Sequence, residues 1–373
     1  MDHRTGDGMR ERVGALLTRL VESGAEDGLQ VAVHLGGEPV VEAAAGPVGP
    51  GHDRPFGPDT LVHSFSVGKG FTATLVHVLA ERGLLDHDTP IAELWPEFAA
   101  HGKERITVRQ VLTHTAGVPH LPDRLTRAEL CDWDTMCAVV AGLEPRWEPG
   151  TASGYHGWTF GWLLGETVRR ATGLTPSQAL RRYLTEPLGI ADELFFGLPA
   201  SHADRTAPLV EGGWAAWLAD LPPDAPFRAL VVPNPRLWTT ADLANRPEYL
   251  VADLPACGTT TARAAARLYA ALIGEVDGVR LLSPEWTARA AEPAVTGRDR
   301  MLLGHYTKGL GYFLGLPETA GEVTCFGHHG SGGSIAFADR DRGMSFALTR
   351  TRLVAPGNRT ARLLVDAVRA ETP

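Results

Sequence analysis

Apolar residues alternate with polar ones near both ends of this chain, whereas the long middle part follows a helical period. Residues 29–46 contain two short apolar runs and predict a β-hairpin, and three segments between residues 310 and 351 alternate as strands do, with a turn at Asp339–Gly343. Amphipathic helices are predicted over residues 9–23 and 358–370. We therefore predict an α/β protein of the α+β type, in which both chain ends build one antiparallel sheet flanked by helices and an all-helical subdomain is inserted between them.

This pattern divides the chain into two predicted domains. Residues 1–85 and 300–373 form the sheet domain and residues 86–299 the helical subdomain, in which Thr259-Thr260 is predicted to cap a helix. Residues 199–257 are rich in proline and poor in periodicity, and we expect an irregular segment with one or two short helices, of the kind that forms a wall or lid of a site. Four aromatic side chains scattered through it either line a site or fill the core, and they are Trp214, Trp217, Phe227 and Trp238.

Composition excludes several classes of function. The chain has a net charge of −9 and no basic run, so binding to a nucleic-acid backbone is not expected. Its four cysteines have no Cys-x-x-Cys spacing and no adjacent histidine pattern, so neither a disulfide framework nor a metal site is predicted. Residues 1–24 are charged and lack the apolar run of a secretion signal. We expect a cytoplasmic protein with no cofactor and no membrane partner; the oligomeric state is left open.

A hydroxyl and an amine lie three residues apart at the start of a predicted helix, in the segment Ser66-Val67-Gly68-Lys69. Residues 71–82 have the spacing of a helix with one buried face, and Gly83 is predicted to end it. If the helix begins near Ser66, its hydroxyl and the Lys69 amine share one face, next to free backbone N–H groups and the positive end of the helix dipole. A desolvated lysine can deprotonate such a serine. The pattern predicts a nucleophile, although Ser-x-x-Lys also occurs by chance.

Several further motifs accompany this segment. In order along the chain they are Ser66-Val67-Gly68-Lys69, Gly83–Asp86, Ile106–Gly117, Pro149-Gly150-Thr151 ahead of Tyr155, and Phe326–Ser334. With this set the chain resembles the serine β-lactamase and penicillin-binding-protein superfamily, in particular its class C β-lactamase-like branch, which includes family VIII carboxylesterases and acyltransferases. The resemblance covers residue 56 to the end and implies a β-lactamase/transpeptidase-like fold and serine acyl-transfer chemistry without a cofactor.

The resemblance also implies a role for each matching residue. Ser66 corresponds to the acylated nucleophile, Lys69 to its proton acceptor, and Tyr155 to a tyrosinate that carries protons to the leaving group and from the incoming acceptor. The backbone N–H groups of Ser66 and Ser331 correspond to an oxyanion hole, so we expect the glycine-rich turn at residues 330–333 to tolerate little change. Because the pKa of tyrosine is ordinarily about 10, this role requires a nearby cation such as Lys69 to favour the phenolate.

Two departures from the family's pattern concern the substrate. The triplet His328-His329-Gly330 stands where β-lactamases usually have Lys-Thr-Gly, and a mostly neutral histidine attracts the carboxylate of a β-lactam less than a lysine does. His156 follows the tyrosine in a motif that has lost the asparagine of its Tyr-x-Asn form. We therefore predict a small ester, or an amide, in contact with His328, Gly330, His156 and Trp238. Acyl transfer to an amine or alcohol acceptor and a non-catalytic binding protein of the same fold are the alternatives.

Overall fold

About half of the described strands lie in the two parts of the chain where the sequence alternates, and the others are short, with two to four residues each. The computed structural model describes residues 3–49 and 54–370, so residues 50–53 and both extreme ends of the predicted sheet domain lie outside the described residues. The described strands are β1 (Leu29–Leu35), β2 (Glu38–Ala45), β3 (Val62–His63), β4 (Leu194–Phe195), β5 (Val210–Gly212), β6 (Thr259–Thr260), β7 (Val295–Arg298), β8 (His305–Lys308), β9 (Phe313–Leu314), β10 (Cys325–His329), β11 (Ile335–Asp339), β12 (Met344–Arg350) and β13 (Arg352–Val354).

Eight of these strands form one antiparallel sheet in the order β2-β1-β12-β11-β10-β9-β8-β7. All seven residues of β1 pair with β12, with Val31 opposite Leu348, so the hairpin at the start of the chain is joined to strands near its end. Residues 340–343 connect β11 to β12, in agreement with the predicted turn. The prediction of a single antiparallel sheet built from both chain ends is confirmed.

Helices flank this sheet and fill the middle of the chain. They are α1 (His3–Glu22), α2 (Val67–Glu81), α3 (Ile91–Leu94), α4 (Val108–Leu112), α5 (Arg127–Cys131), α6 (Trp133–Ala141), α7 (Thr159–Thr172), α8 (Pro176–Leu180), α9 (Trp214–Asp220), α10 (Ala241–Ala244), α11 (Pro247–Leu250), α12 (Ala262–Ile273), α13 (Pro284–Ala290) and α14 (Thr360–Arg369). Helix α1 packs on β2 and α14, and α12 packs on β1, β11 and β12. Helix α2 contacts both β10 and α7, which places it between the sheet and the helical part. None of the described helices is both long and apolar enough to cross a lipid bilayer.

A small second sheet, in the order β3-β6-β4, leads the chain into α2. Thr259 and Thr260, predicted to cap a helix, instead form its central strand, and the cap of α12 is Thr261, whose hydroxyl accepts a hydrogen bond from the backbone of Ala264 at 3.1 Å. Each strand of this sheet has only two residues, so no alternation could reveal it in the sequence. The cap therefore lies one residue beyond the predicted pair, because Thr259 and Thr260 pair with strands distant in the chain.

The segment 199–257 is more regular than predicted. It contains α9, α10 and α11 with helical turns between them, and its strand β5 pairs in parallel with β13. The predicted domain division remains a prediction. In the structure, β7 and α12 belong to the large sheet and its covering layer although both precede residue 300.

Candidate active site

Ser66 lies at the junction between β3 and α2, directly before the first turn of the helix. Phe65 before it has a φ of 45°, a conformation that residues other than glycine rarely adopt. Hydrogen bonds from Ser64 N to Gly258 O (2.7 Å) and from Gly258 N to Phe65 O (3.0 Å) hold the chain in this sharp turn. A Cβ atom on Gly68 would overlap the Cys257 carbonyl group, so a glycine here lets α2 pack closely against the same segment. The strand and the helix together present Ser66 to a cavity.

The Lys69 side chain is fully buried and reaches Ser66. Its Nζ lies 2.8 Å from Ser66 Oγ and 3.0 Å from the carbonyl oxygen of Ala256. Burial lowers the pKa of Lys69 from 10.5 to about 7, because the ammonium form loses its hydration. At neutral pH a large fraction of the molecules therefore carries a neutral amine, which can accept the Ser66 proton across the 2.8 Å contact. Both the spacing of the two side chains and the desolvation of the lysine were expected from the sequence.

Tyr155 brings a phenol to the other side of the serine. Its hydroxyl donates a hydrogen bond to Ser66 Oγ at 2.9 Å, and Lys69 Nζ lies 5.1 Å from the centre of its ring. Burial raises the pKa of Tyr155 well above the ordinary value, and the hydrogen bond to Ser66 opposes this only in part. Lys69 does not favour a phenolate as the sequence analysis expected, because its own charge is disfavoured by the same burial. In the resting site Tyr155 is a proton donor.

A buried ion pair that the sequence analysis did not identify holds the loop carrying Tyr155. Asp299 Oδ1 accepts hydrogen bonds from the backbone N–H of Tyr155 at 3.1 Å and from two further backbone N–H groups at 2.8 Å. Its Oδ2 lies 2.5 Å from Lys308 Nζ, which also donates to Ser153 Oγ at 2.7 Å. Lys308 and Asp299 are 2% and 0% exposed, so each charge depends on the other. No local pattern could reveal this contact, since 144 residues separate Asp299 from Tyr155.

The glycine-rich turn between β10 and β11 lies against the serine. A Cβ atom on Gly330 would overlap the carbonyl oxygen of Ser64, so only glycine permits this approach. Ser331 follows it and lines the cavity together with Ser66. Among the described residues, the backbone N–H groups of Ser66 and Ser331 have no hydrogen-bond partner. Two free donors therefore adjoin the cavity where the predicted oxyanion hole would be.

His328 and Gly330, both predicted to contact substrate, have different positions. Gly330 lines the cavity, whereas His328 is 1% exposed and does not. The Nδ1 of His328 lies 2.7 Å from the carbonyl oxygen of His329, and burial lowers the pKa of His328 well below 6.5, so its imidazole is neutral. Its ring centre is 6.0 Å from that of Tyr155, behind the cavity wall. The neighbouring His329 lines the cavity instead.

His156 and Trp238 were also predicted to contact substrate, and neither lines the cavity. The His156 ring is fully buried and bonded to the backbone, with Nε2 accepting from Val118 N at 3.1 Å and Nδ1 lying 2.7 Å from Gly154 O. The Trp238 indole donates to the carbonyl oxygen of Val232 at 3.0 Å. Both are structural residues here, because their polar atoms are bonded to the main chain. Three other aromatic residues of the irregular segment do line the cavity, and they are Trp214, Trp217 and Phe227.

The cavity in front of Ser66 has a volume of about 460 Å³, within the usual range for small-molecule sites. One part of its wall comes from residues 157–257 and is mostly aromatic and aliphatic. Another part comes from residues 302–333 and 350–362, which include Tyr306, Glu318 and several arginines. The cavity therefore offers both apolar and polar surface to an ester bound at Ser66.

Among the described residues, Glu322, Cys325 and Asp339 are the only trio grouped closely enough to hold a metal ion. Cationic side chains already satisfy this cluster. Arg342 lies 2.7 Å from Glu322 and 3.0 Å from Asp339, and Arg369 lies 2.9 Å from Asp339. These guanidinium groups stand where a metal ion would have to bind, so the trio is an ion-pair network of the sheet and the C-terminal helix.

Comparison with known proteins extends the resemblance over almost the whole chain. The model of the Beta-lactamase family matches residues 13–370. The esterase/β-lactamase LipL of Mycobacterium tuberculosis is 37% identical over 340 residues, which cover 87% of this chain and 77% of that protein. The crystal structure of a family VIII carboxylesterase is 30% identical with a TM-score of 0.87, and that of a penicillin-binding-protein homologue from Caulobacter crescentus is 34% identical with a TM-score of 0.83. Each structural alignment covers 97% of both chains.

Proposed function

Because this chain belongs to the Beta-lactamase family, we propose that it is a serine esterase, which hydrolyses small carboxylic esters through an acyl group bound to Ser66. One observation carries the proposal. Ser66 Oγ lies between Lys69 Nζ at 2.8 Å and Tyr155 OH at 2.9 Å, at the edge of a cavity large enough for a small ester. A weak nucleophile thus has a base and an acid in direct contact with it.

Acylation begins with transfer of the Ser66 proton to the neutral amine of Lys69 as Oγ attacks the ester carbonyl carbon. The carbonyl oxygen becomes an oxyanion, stabilised by the free N–H groups of Ser66 and Ser331. As the bond to the alcohol oxygen breaks, the Tyr155 phenol donates its proton to the departing alkoxide, and the Lys69 ammonium returns a proton to the phenolate. The acyl-enzyme and a free alcohol remain, with both side chains in their starting protonation states.

Hydrolysis of the acyl-enzyme follows the same path in reverse, with water in place of the alcohol. As water attacks the acyl carbon, Tyr155 accepts one proton from it and passes the phenol proton to the neutral amine of Lys69, whose ammonium then protonates Ser66 Oγ. The oxyanion forms again at the same two N–H groups, and Ser66 leaves after regaining its proton. The acyl group is released as a carboxylic acid.

The residues around the serine favour esters over β-lactams. The neutral, buried His328 stands in the position where the resemblance places a lysine, so it provides no positive charge for the carboxylate of a β-lactam. Gly157 stands where the Tyr-x-Asn form has its asparagine and offers no side-chain amide to an acylamino group, and the adjacent His156 is bonded to the backbone on both ring nitrogens. The proposed substrate is therefore an ester that carries no charge close to the bond that is broken.

The direct test is acylation of Ser66. The enzyme is mixed with p-nitrophenyl esters or with a fluorophosphonate, and the intact mass is measured. We expect an added mass on the peptide containing Ser66, release of p-nitrophenol, and neither in the variant Ser66→Ala. A β-lactam such as nitrocefin should be turned over far more slowly than the esters. Absence of any added mass on wild-type protein would support a non-catalytic binding protein instead.

The pKa of Lys69 predicts the pH dependence. Since the proposed base must be neutral in the free enzyme, kcat/KM for a p-nitrophenyl ester should fall about tenfold per pH unit below a pKa of about 7 and level off above it. The rate should stay level up to about pH 9, because the raised pKa of Tyr155 keeps the phenol protonated. A steep rise only near pH 10 would instead assign the base to Tyr155. The measurement is kcat/KM at each pH, after the rate of spontaneous ester hydrolysis at that pH has been subtracted.

A further inference from the structure

Three successive backbone N–H groups hold the loop that carries Tyr155. Gly154 N donates to the carbonyl oxygen of His114 at 3.0 Å, and His156 N donates to Nδ1 of the same histidine at 3.1 Å. The N–H between them, that of Tyr155, instead donates to Asp299 Oδ1 at 3.1 Å. Both His114 and Asp299 are buried. The loop is therefore clamped between these two residues, and of the two only Asp299 bonds to the main chain of Tyr155 itself.

The same carboxylate shapes a turn that borders the cavity. Asp299 Oδ1 also accepts hydrogen bonds from the N–H groups of Met301 and Leu302, both at 2.8 Å, and Leu302 lines the cavity. Asp299 N donates to Gly304 O at 2.9 Å and Leu303 N donates to Asp299 O at 2.9 Å, which closes the turn. One oxygen atom therefore joins the loop of the phenol to a closed turn.

Lys308 fixes the place of this carboxylate. It belongs to β8 and pairs with Phe313 of β9, so its main chain is part of the large sheet. Its Nζ lies 2.5 Å from Asp299 Oδ2 and donates to Ser153 Oγ at 2.7 Å, two residues before Tyr155. The large sheet thus reaches the Tyr155 loop in two ways, through Asp299 and through Ser153.

Stability of the fold does not by itself explain a charged pair at this place. Both charges lose their hydration on burial, and apolar side chains of similar volume often stabilise a fold equally well. Apolar side chains cannot, however, provide an acceptor for the Tyr155 N–H. The hydrogen bond from Tyr155 OH to Ser66 Oγ, at 2.9 Å, tolerates little displacement. The position of that acceptor therefore determines whether the phenol reaches the reacting atoms.

We propose that Asp299 and Lys308 are positioning residues, which hold the Tyr155 phenol where it can protonate the leaving group, and that activity on esters of aliphatic alcohols depends on them. This inference rests on the proposed esterase function and adds to it the class of alcohol that the site releases. A p-nitrophenolate ion leaves without a proton, whereas an alkoxide is a far stronger base and needs one as the C–O bond breaks. Displacing the phenol therefore slows hydrolysis of an alkyl ester far more than that of an activated aryl ester.

The test compares two esters of one acid, ethyl butanoate and p-nitrophenyl butanoate, in wild type and in Lys308→Met. The measured quantity is kcat/KM, which reports the steps up to release of the alcohol and not hydrolysis of the acyl-enzyme. In the variant we expect kcat/KM to fall about 100-fold for the ethyl ester, a usual contribution of a general acid, and less than about tenfold for the p-nitrophenyl ester. Tyr155→Phe should show the same preference. Adding Lys308→Met to Tyr155→Phe should cost little more, because the phenol is already absent.

Lys103→Met is the matched control. Lys103 is also a buried lysine, its Nζ donates to three backbone carbonyl oxygens, and it does not line the cavity. Whatever stability this variant loses, it should change kcat/KM of the two esters by the same factor.

A second variant covers the case in which Lys308→Met does not fold. Asp299→Asn combined with Lys308→Met leaves no unpaired charge, so it should fold, but it still lacks the link from the sheet to the Tyr155 loop. We expect its ethyl ester to lose at least five times more than its p-nitrophenyl ester. Equal losses for both esters, failure of both variants to fold, or no activity of wild type on ethyl butanoate would overturn the positioning role while Ser66 still becomes acylated. Absence of acylated Ser66 in wild type would overturn the esterase function itself.

Discussion

Replacing Lys69 with methionine is expected to lower the rate of Ser66 acylation by about 10³-fold or more without unfolding the protein. Methionine has a similar length but no proton-accepting atom, so the base 2.8 Å from Ser66 Oγ is lost. Tyr155 cannot replace it, because its raised pKa keeps it a phenol. Single-turnover acylation with a p-nitrophenyl ester measures the effect, and the losses from Lys69→Met and Tyr155→Phe should not add, since both act on one proton transfer.

Stability gives an independent check on this variant. The pKa of Lys69 is about 7 in the folded protein, against its ordinary value of 10.5, so burying this lysine opposes folding at any pH below about 10. The opposition grows as the pH falls from about 10 to about 7 and is constant below that. The free energy of unfolding of Lys69→Met minus that of wild type should therefore increase as the pH is lowered from about 10 to about 7. Urea titrations at several pH values measure this difference. A variant that retains near-normal turnover would remove Lys69 from the mechanism.

A Cβ atom on Gly330 is expected to reduce kcat by about 10²–10³-fold. In Gly330→Ala the new atom would overlap the Ser64 carbonyl oxygen and approach Val67 Cγ2 to 3.4 Å, so the turn must move away from the serine. Ser331 follows Gly330 directly, and its N–H would move with the turn. Loss of one oxyanion donor costs about this factor in other enzymes.

The control for this prediction is Gly57→Ala, because a Cβ atom there meets nothing within 4 Å and its φ is not positive. It should keep full activity. If Gly330→Ala raises KM and leaves kcat unchanged, the turn contacts the substrate and does not stabilise the oxyanion. Circular dichroism and melting temperature of both variants distinguish a moved turn from a general loss of structure.

The sequence predicted the parts of the site that depend on local spacing. Ser66 and Lys69 lie one helical turn apart, and any helix beginning near Ser66 brings the two side chains together. Strand alternation at both chain ends predicted the single antiparallel sheet, because exposed and buried faces impose a period of two wherever a strand is long enough. Tyr155 was identified only through the motif order of the resemblance, since 89 residues separate it from the serine.

Burial and long-range pairing account for what the sequence did not predict. Whether Lys69 is an amine and Tyr155 a phenol depends on how much water surrounds each group, and residues distant in the chain exclude that water. The Asp299–Lys308 pair contacts the Tyr155 loop across 144 residues of chain. His328 rather than His329 is buried because of the register in which β10 pairs with β11. Hydrogen-bond spacing along one element follows from the residues themselves, whereas solvation and contact between elements are properties of the packed molecule.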